Sequence, residues 1–156
     1  MLTNLIANAS SAILDMPPAE IFANPNLYRL EVEQLRETLA VMQAQSINVV
    51  DLPGTPVRLL AFAVRTLPLA ISRPFLAKAV GSGRGGKMPS FHIDLHSGRG
   101  KSEIDYLNGA VVRAGQKTGI PTPVNQVLTE TLLKLTRSES SISQFAHQPE
   151  RLLEQL

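Results

Sequence analysis

Few reactive side chains occur in this 156-residue sequence, but several polar ones recur at helical spacing. His92 and His96 stand four apart, so one helical face can present both imidazoles to a metal ion. Asp94 lies between them, off that face, and the H-E-x-x-H pattern is absent. Hydrogen-bonded histidines are the simpler reading, and no metal is assigned. Glu103 and Asp105 fall where a helix should begin, and carboxylates there meet the positive end of the helix dipole. An ionised one can also accept a hydrogen bond from a substrate hydroxyl. Asn4 and Asn8 share a helical stripe. Their amides can donate and accept without titrating, which suits a polar ligand; a solvated face or a cap on a neighbouring helix would use the same groups. Gly81, Gly83 and Gly86 satisfy G-x-G-x-x-G. That fingerprint needs a strand before it and a helix after it, whereas helix-forming residues precede this one and Met88-Pro89 follows. A flexible loop is expected. Gly100-Lys101-Ser102 matches only the end of a P-loop, because position 95 is Leu where that motif needs Gly.

Composition narrows the classes further. There is no cysteine, which excludes a disulfide framework, a thiol nucleophile and a Cys-ligated zinc site. Hydrophobic residues make up 44% and aromatics only 4%, so the core must be built from Leu, Ile, Val and Ala, which favours helices over a β-sandwich. The 15 basic and 13 acidic residues leave a net charge of +2, dispersed along the chain, and this gives no nucleic-acid footprint. The most apolar stretch, Val57 to Val80, is cut by Arg58, Arg65, Arg73 and Lys78, so no membrane span is expected. The N-terminus has no basic region followed by an apolar run, so no signal peptide is read and a cytoplasmic protein is the expectation.

The elements that must position these groups are helical. Leu2, Leu5, Ile6, Ala9, Ala12 and Ile13 form one apolar stripe, which predicts a single helix ended by Pro17-Pro18. Asn24-Pro25-Asn26 reads as a turn. A second helix spans Leu27 to Gln45, with Leu30, Leu35, Leu39 and Met42 inward and Glu33 and Glu37 outward. Ile47 to Leu52 is an extended connector. Pro56 to Val80 reads as a helical hairpin interrupted near Pro68 and Pro74, and Pro89 to His96 as a short helix. Ser102 is an N-cap with Asp105 as a shortened capping box, and Gly119 closes the helix behind them. Thr122-Pro123 starts a helix with a cap and a first-position proline. Arg137 to Gln148 is polar and expected to be loose, and Glu150 to Leu156 a final turn or two. The fold class is all-α; the alternating strands of a doubly wound domain are absent.

Two strings in order carry a resemblance: Ser102-Glu103-Ile104-Asp105-Tyr106-Leu107-Asn108-Gly109 and Gly119-Ile120-Pro121-Thr122-Pro123-Val124-Asn125. With Leu2-Thr3-Asn4-Leu5-Ile6-Ala7-Asn8 before them, they resemble the C-terminal domain of the 2-dehydropantoate 2-reductase (ketopantoate reductase) family. The resemblance runs from Leu2 to about Thr136. It implies a helical bundle similar to the 6-phosphogluconate dehydrogenase C-terminal-like domain, over residues 1–136, with 137–156 as a polar tail. It also implies a parent enzyme in which a Rossmann domain binds NADPH and the helical domain completes the cleft. By the same resemblance Glu103 anchors the substrate hydroxyl as the catalytic carboxylate. Asn4 and Asn8 hydrogen-bond substrate, and Ser90 holds its carboxylate. The family's general-acid lysine aligns just before Met1, and the Rossmann half has no counterpart in these residues.

The expectation is therefore the substrate-binding half of an NADPH-dependent reductase of pantothenate biosynthesis, inactive alone and binding no cofactor by itself. Its substrate is a 2-oxo acid, and exposed inter-domain surface is expected to drive homo-oligomer formation. The alternatives are a free-standing helical ligand-binding or interaction module, and half of a reductase for another branched 2-oxo acid.

Overall fold

Prolines and three-to-four residue apolar spacing divide the chain into short helices. A computed structural model describes residues 2–84, 87–97 and 100–156, with the backbone alone for 79–84. The α-helices are α1 (Leu2–Leu5), α2 (Asn8–Leu14), α3 (Pro18–Ala23), α4 (Pro25–Ala44), α5 (Val57–Thr66), α6 (Leu69–Arg84), α7 (Ser90–His96), α8 (Asn108–Thr118), α9 (Pro123–Thr136) and α10 (Pro149–Leu153). Two 3₁₀ turns, Glu103–Tyr106 and Ile142–Gln144, complete them. No strand occurs among the described residues, and the Ile47–Leu52 connector makes only an isolated bridge between Leu52 and Thr55. The all-α class stands. Helices α3, α4 and α9 begin with Pro in the first turn, where its missing N–H costs nothing. The expected turn at Asn24 is a cap: its side chain accepts from the N–H groups of Asn26 (2.9 Å) and Leu27 (3.2 Å). Helix α6 runs through Pro74 to Arg84, so the backbone from Gly81 to Arg84 is helical, not the predicted loop. Gly85 and Gly86, in the rest of that predicted loop, lie outside the described residues, as do Gly98 and Arg99.

The first helix is where pattern and structure part. The stripe from Leu2 to Ile13 is continuous, yet the helix breaks at Ile6-Ala7, and Ala7 adopts a left-handed φ of 51°. Neither Gly nor Pro marks the break. Its cause lies on α4. The Glu31 carboxylate, 1% exposed, accepts from the Ala7 N–H (2.7 Å), the Ser10 hydroxyl (2.6 Å) and Gln34 Nε2 (2.9 Å). Gln34 Nε2 also donates to the Leu5 carbonyl (3.1 Å). The two sides of the break are thereby both satisfied by α4. A left-handed alanine costs about 1–3 kcal/mol, whereas hydrogen bonds to a charged group contribute about 1.5–3 kcal/mol each. Three of them outweigh the strain.

The buried polar chain continues from there. Gln34 Oε1 accepts from Asn108 Nδ2 (2.9 Å), which also donates to Asn125 Oδ1 (3.0 Å). Asn125 Nδ2 donates to the Gln34 carbonyl (3.0 Å) and to Glu37 Oε2 (2.7 Å). Glu37 accepts from the N–H groups of Val124 (2.8 Å) and Asn125 (2.9 Å). It therefore caps α9 from α4, and Thr122, expected as the cap, makes no such bond. Glu37 is turned inward, not outward. Burial pushes its carboxyl above the ordinary 4.5, and the three donors only partly offset that. A carboxyl with a raised folded pKa keeps a proton that the unfolded chain has released. Its contribution to stability is greatest below 4.5 and declines as pH rises through the raised value.

The other recurring residues are structural in the same sense. Ser102 Oγ accepts from the Ile104 N–H (3.3 Å), capping the 3₁₀ turn that precedes α8. Asp105 does not close a capping box. It pairs with Arg113 (2.7 Å) across Gly109, where a Cβ would lie 2.6 Å from the Asp105 oxygen. Gly119, at φ 71°, closes α8 as expected. The segment expected to be loose returns to the body: Phe145 and Leu152 join the core, and the His147 N–H donates to the Leu14 carbonyl (2.7 Å). Leu59, Phe62, Ile71 and Phe75 on α5 and α6 remain exposed. No described helix is long and apolar enough to cross a membrane.

Replacing Glu31 with Ala leaves the Ala7 N–H and the Ser10 hydroxyl without their acceptor, and Gln34 Nε2 with the Leu5 carbonyl alone. The expected loss is more than about 3 kcal/mol of unfolding free energy in urea. Glu33→Ala, which removes a half-buried i,i+3 pair with Arg36, should change it by under about 1 kcal/mol.

Candidate functional site

Helix α7 starts at Ser90 after Pro89, which has no side chain able to cap it. The cap comes from α2. Asn8 Oδ1 accepts from the Phe91 N–H (3.0 Å), and its Nδ2 donates to Ser90 Oγ (3.2 Å) and to the Asn4 carbonyl (3.0 Å). Asn8 is buried, and both ends of its amide are engaged by the protein. It fixes Ser90 beside α1. The break at Ala7 matters here, because Asn8 opens α2 just after it.

Around this joint the four residues singled out from the sequence come together. Asn4, Asn8, Ser90 and Glu103 line one cleft of about 500 Å³, with Lys87, Met88, Pro89 and Leu107 completing its wall. Asn4, Ser90 and Glu103 are exposed. Glu103 stands in the 3₁₀ turn, held by the buried Ile104 beside it and by the Ser102 cap. The cleft thus offers a primary amide, a hydroxyl, a carboxylate and an ammonium group within reach of one small molecule. Such a set can hold an anionic, hydroxyl-bearing ligand: the ammonium and hydroxyl face the anion, and the carboxylate accepts from the ligand hydroxyl. Lys87 is not among the residues singled out from the sequence. The only available signal was its place three residues before Ser90.

None of the described residues forms a strand, so none forms the strand, glycine turn and helix of a Rossmann pyrophosphate site. His92, in the first turn of α7, and His96, at its last residue, do share a face, and both approach Asp15, which follows α2.

Asn8→Ala should lower stability by about 1–2 kcal/mol, the scale of a lost helix cap. Asn4→Ala, at an exposed position, should shift it by under about 0.5 kcal/mol. Chemical denaturation of both variants checks the contrast, and equal losses would count against a capping role for Asn8.

Comparison with known proteins adds three findings. The sequence model described as "Ketopantoate reductase PanE/ApbA C terminal" matches residues 1–136. The 2-dehydropantoate 2-reductase of Pyrobaculum aerophilum is 30% identical over 128 residues, covering 82% of this chain and 38% of the relative. That of Streptococcus pyogenes serotype M1 is 28% identical over 123 residues, covering 79% of this chain and 34% of the relative. The chain therefore spans just over a third of the curated relatives it matches. Among solved structures, the PanE/ApbA family ketopantoate reductase of Ralstonia eutropha JMP134 superposes with a TM-score of 0.67 at 26% identity, over 88% of this chain and 39% of that one. D-mandelate dehydrogenase, solved with NADH and anilino(oxo)acetate, shares the fold with a TM-score of 0.66 at 23% identity, over 88% of this chain and 65% of its own. The helices, their buried motif residues and the match across 1–136 agree: this chain belongs to the ketopantoate reductase C-terminal domain family.

Proposed function

We propose that this chain binds a 2-oxo acid, 2-dehydropantoate first, as the substrate-holding half of an NADPH-dependent reductase. The observation that carries the reading is the convergence of Asn4, Ser90 and Glu103, from three separate parts of the sequence, on one cleft that also holds Lys87. Lys87 and Ser90 receive the substrate carboxylate, one by charge and one by its hydroxyl. Glu103 accepts a hydrogen bond from the substrate hydroxyl and so fixes which face of the keto group is presented. Asn4 supplies an amide that needs no protonation change, and Asn8 acts through Ser90 as a positioning residue. NADPH supplies the hydride in this reading, and no described residue of this chain is assigned to hold it. The chain alone binds substrate without turning it over.

Self-association belongs to the same reading. It uses the apolar side chains left exposed on α5 and α6, Leu59, Phe62, Ile71 and Phe75. Sedimentation velocity should show a concentration-dependent dimer that Phe62→Ser with Phe75→Ser abolishes. A clean monomer at high concentration would refute it.

Substrate binding is tested by titrating 2-dehydropantoate into the ¹⁵N-labelled chain. Amide shifts are expected in α1, α2, the start of α7 and the turn around Glu103. Glu103→Gln should weaken binding by about tenfold or more, the scale of one charged hydrogen bond. No shifts at millimolar ligand, or affinities unchanged in both Glu103→Gln and Ser90→Ala, would overturn the assignment. A panel of other branched 2-oxo acids in the same titration identifies the preferred substrate.

A further inference from the structure

We propose a second site: Asp15, His92 and His96 form a binding site for a divalent transition metal of the zinc type, joining α2 to α7. Asp15 follows α2 with a left-handed φ of 51°, and its carboxylate faces α7. His92 Nε2 lies 2.7 Å from Asp15 Oδ1, and His96 Nε2 lies 4.0 Å from the same oxygen. One donor atom from each of the three residues falls within 4.8 Å of the others.

A hydrogen bond between His92 and Asp15 does not account for the whole arrangement. That bond needs one imidazole. The second ring stands against the first, with centroids 4.1 Å apart and planes 32° apart, and turns its nitrogen toward the same oxygen. Two imidazole nitrogens and one carboxylate oxygen are a borderline donor set. It suits zinc, cobalt or nickel and disfavours calcium and magnesium, which take oxygen ligands. Tetrahedral zinc with bonds of about 2.0–2.2 Å separates its donors by about 3.3–3.6 Å. The two separations to Asp15 Oδ1, 2.7 and 4.0 Å, bracket that range. Binding requires one distance to open and the other to close. The side chains can adjust, because Asp15 and His96 are 38% and 39% exposed. The same exposure leaves a fourth position for water or an external ligand, as in zinc sites with three protein ligands.

The placement gives the site a consequence. Asn8 fixes the start of α7 and with it Ser90; the metal would tie both turns of α7, through His92 and His96, to the end of α2. The two contacts together hold one short helix against α2 along its length. Histidine 147 supplies a control. Its backbone N–H bonds the Leu14 carbonyl beside Asp15, but its side chain is not part of the cluster.

The test uses the tag-free chain after chelator treatment. Calorimetric titration with Zn²⁺ should show one equivalent bound with a micromolar or tighter Kd, and Co²⁺ should give the visible absorption of a low-coordinate site. Zinc should raise the thermal midpoint. His96→Ala and Asp15→Asn should each weaken zinc binding at least tenfold and remove the thermal shift, while His147→Ala keeps both. His96 is exposed at a helix end, so its alanine variant tests the site without disturbing the core. Absence of stoichiometric binding, wild-type affinity in His96→Ala and Asp15→Asn, or loss only in His147→Ala would each overturn the proposal. None of these outcomes depends on 2-oxo acid binding in the cleft.

Discussion

A single buried carboxylate sets the geometry on which the other elements rely. Glu31 sits inside the helical body, and hydrogen bonds must replace the water its carboxylate loses there. It finds donors by interrupting the first helix. The N–H of Ala7, freed from the helix ladder, the hydroxyl of Ser10 and the amide of Gln34 converge on it. An uninterrupted helix would have tied the Ala7 N–H into its own ladder. The break is thus the helix's answer to the carboxylate, and the change of direction separates α1 from α2 where Asn4 and Asn8 approach α7. Gln34 passes the constraint on to Asn108 and Asn125, so α4, α8 and α9 are fixed by the same connected set of amides.

The motifs that identify the family divide into two kinds of residue on this view. Asn108, Gly109 and Asn125 belong to the interior. The two amides are needed because buried amides must be matched, and Gly109 lets the Asp105–Arg113 pair lie against the helix, where a Cβ would push the Asp105 carboxylate aside. Glu103, one turn earlier, has its side chain exposed in the cleft. A short string can therefore serve both packing and binding: its inward members fix the angle at which its outward member stands. Ser90 shows the same division with its own support, since Asn8 holds it from behind.

Much of this was legible in the sequence. Proline positions and apolar spacing give the order of the helices and the all-α class, and the resemblance brings Asn4, Asn8, Ser90 and Glu103 together before any coordinates do. The misses share a cause. Helical spacing reports which face is apolar; it is silent on polar groups that turn inward to meet a distant partner. Glu37 reads as an outer residue by its type, yet it reaches the start of α9. The break at Ala7 has no local mark because its cause is 24 residues away. Asp15 and Lys87 are ordinary surface residues by type, and only the meeting of α2, α7 and the cleft wall gives them neighbours.

The return of the C-terminal segment bears on where this fold may be cut. Similarity to the family ends at residue 136, but the packing does not. Leu152 is fully enclosed, Phe145 is buried beside the same interior, and Gln155 accepts from the Thr131 hydroxyl on α9. A boundary drawn where recognisable sequence stops would strip a plug from the core and bare the Leu14 carbonyl. Sequence similarity and cooperative folding thus mark different units in this chain. The last twenty residues are the part with least family signature, and they serve as the latch that closes the bundle.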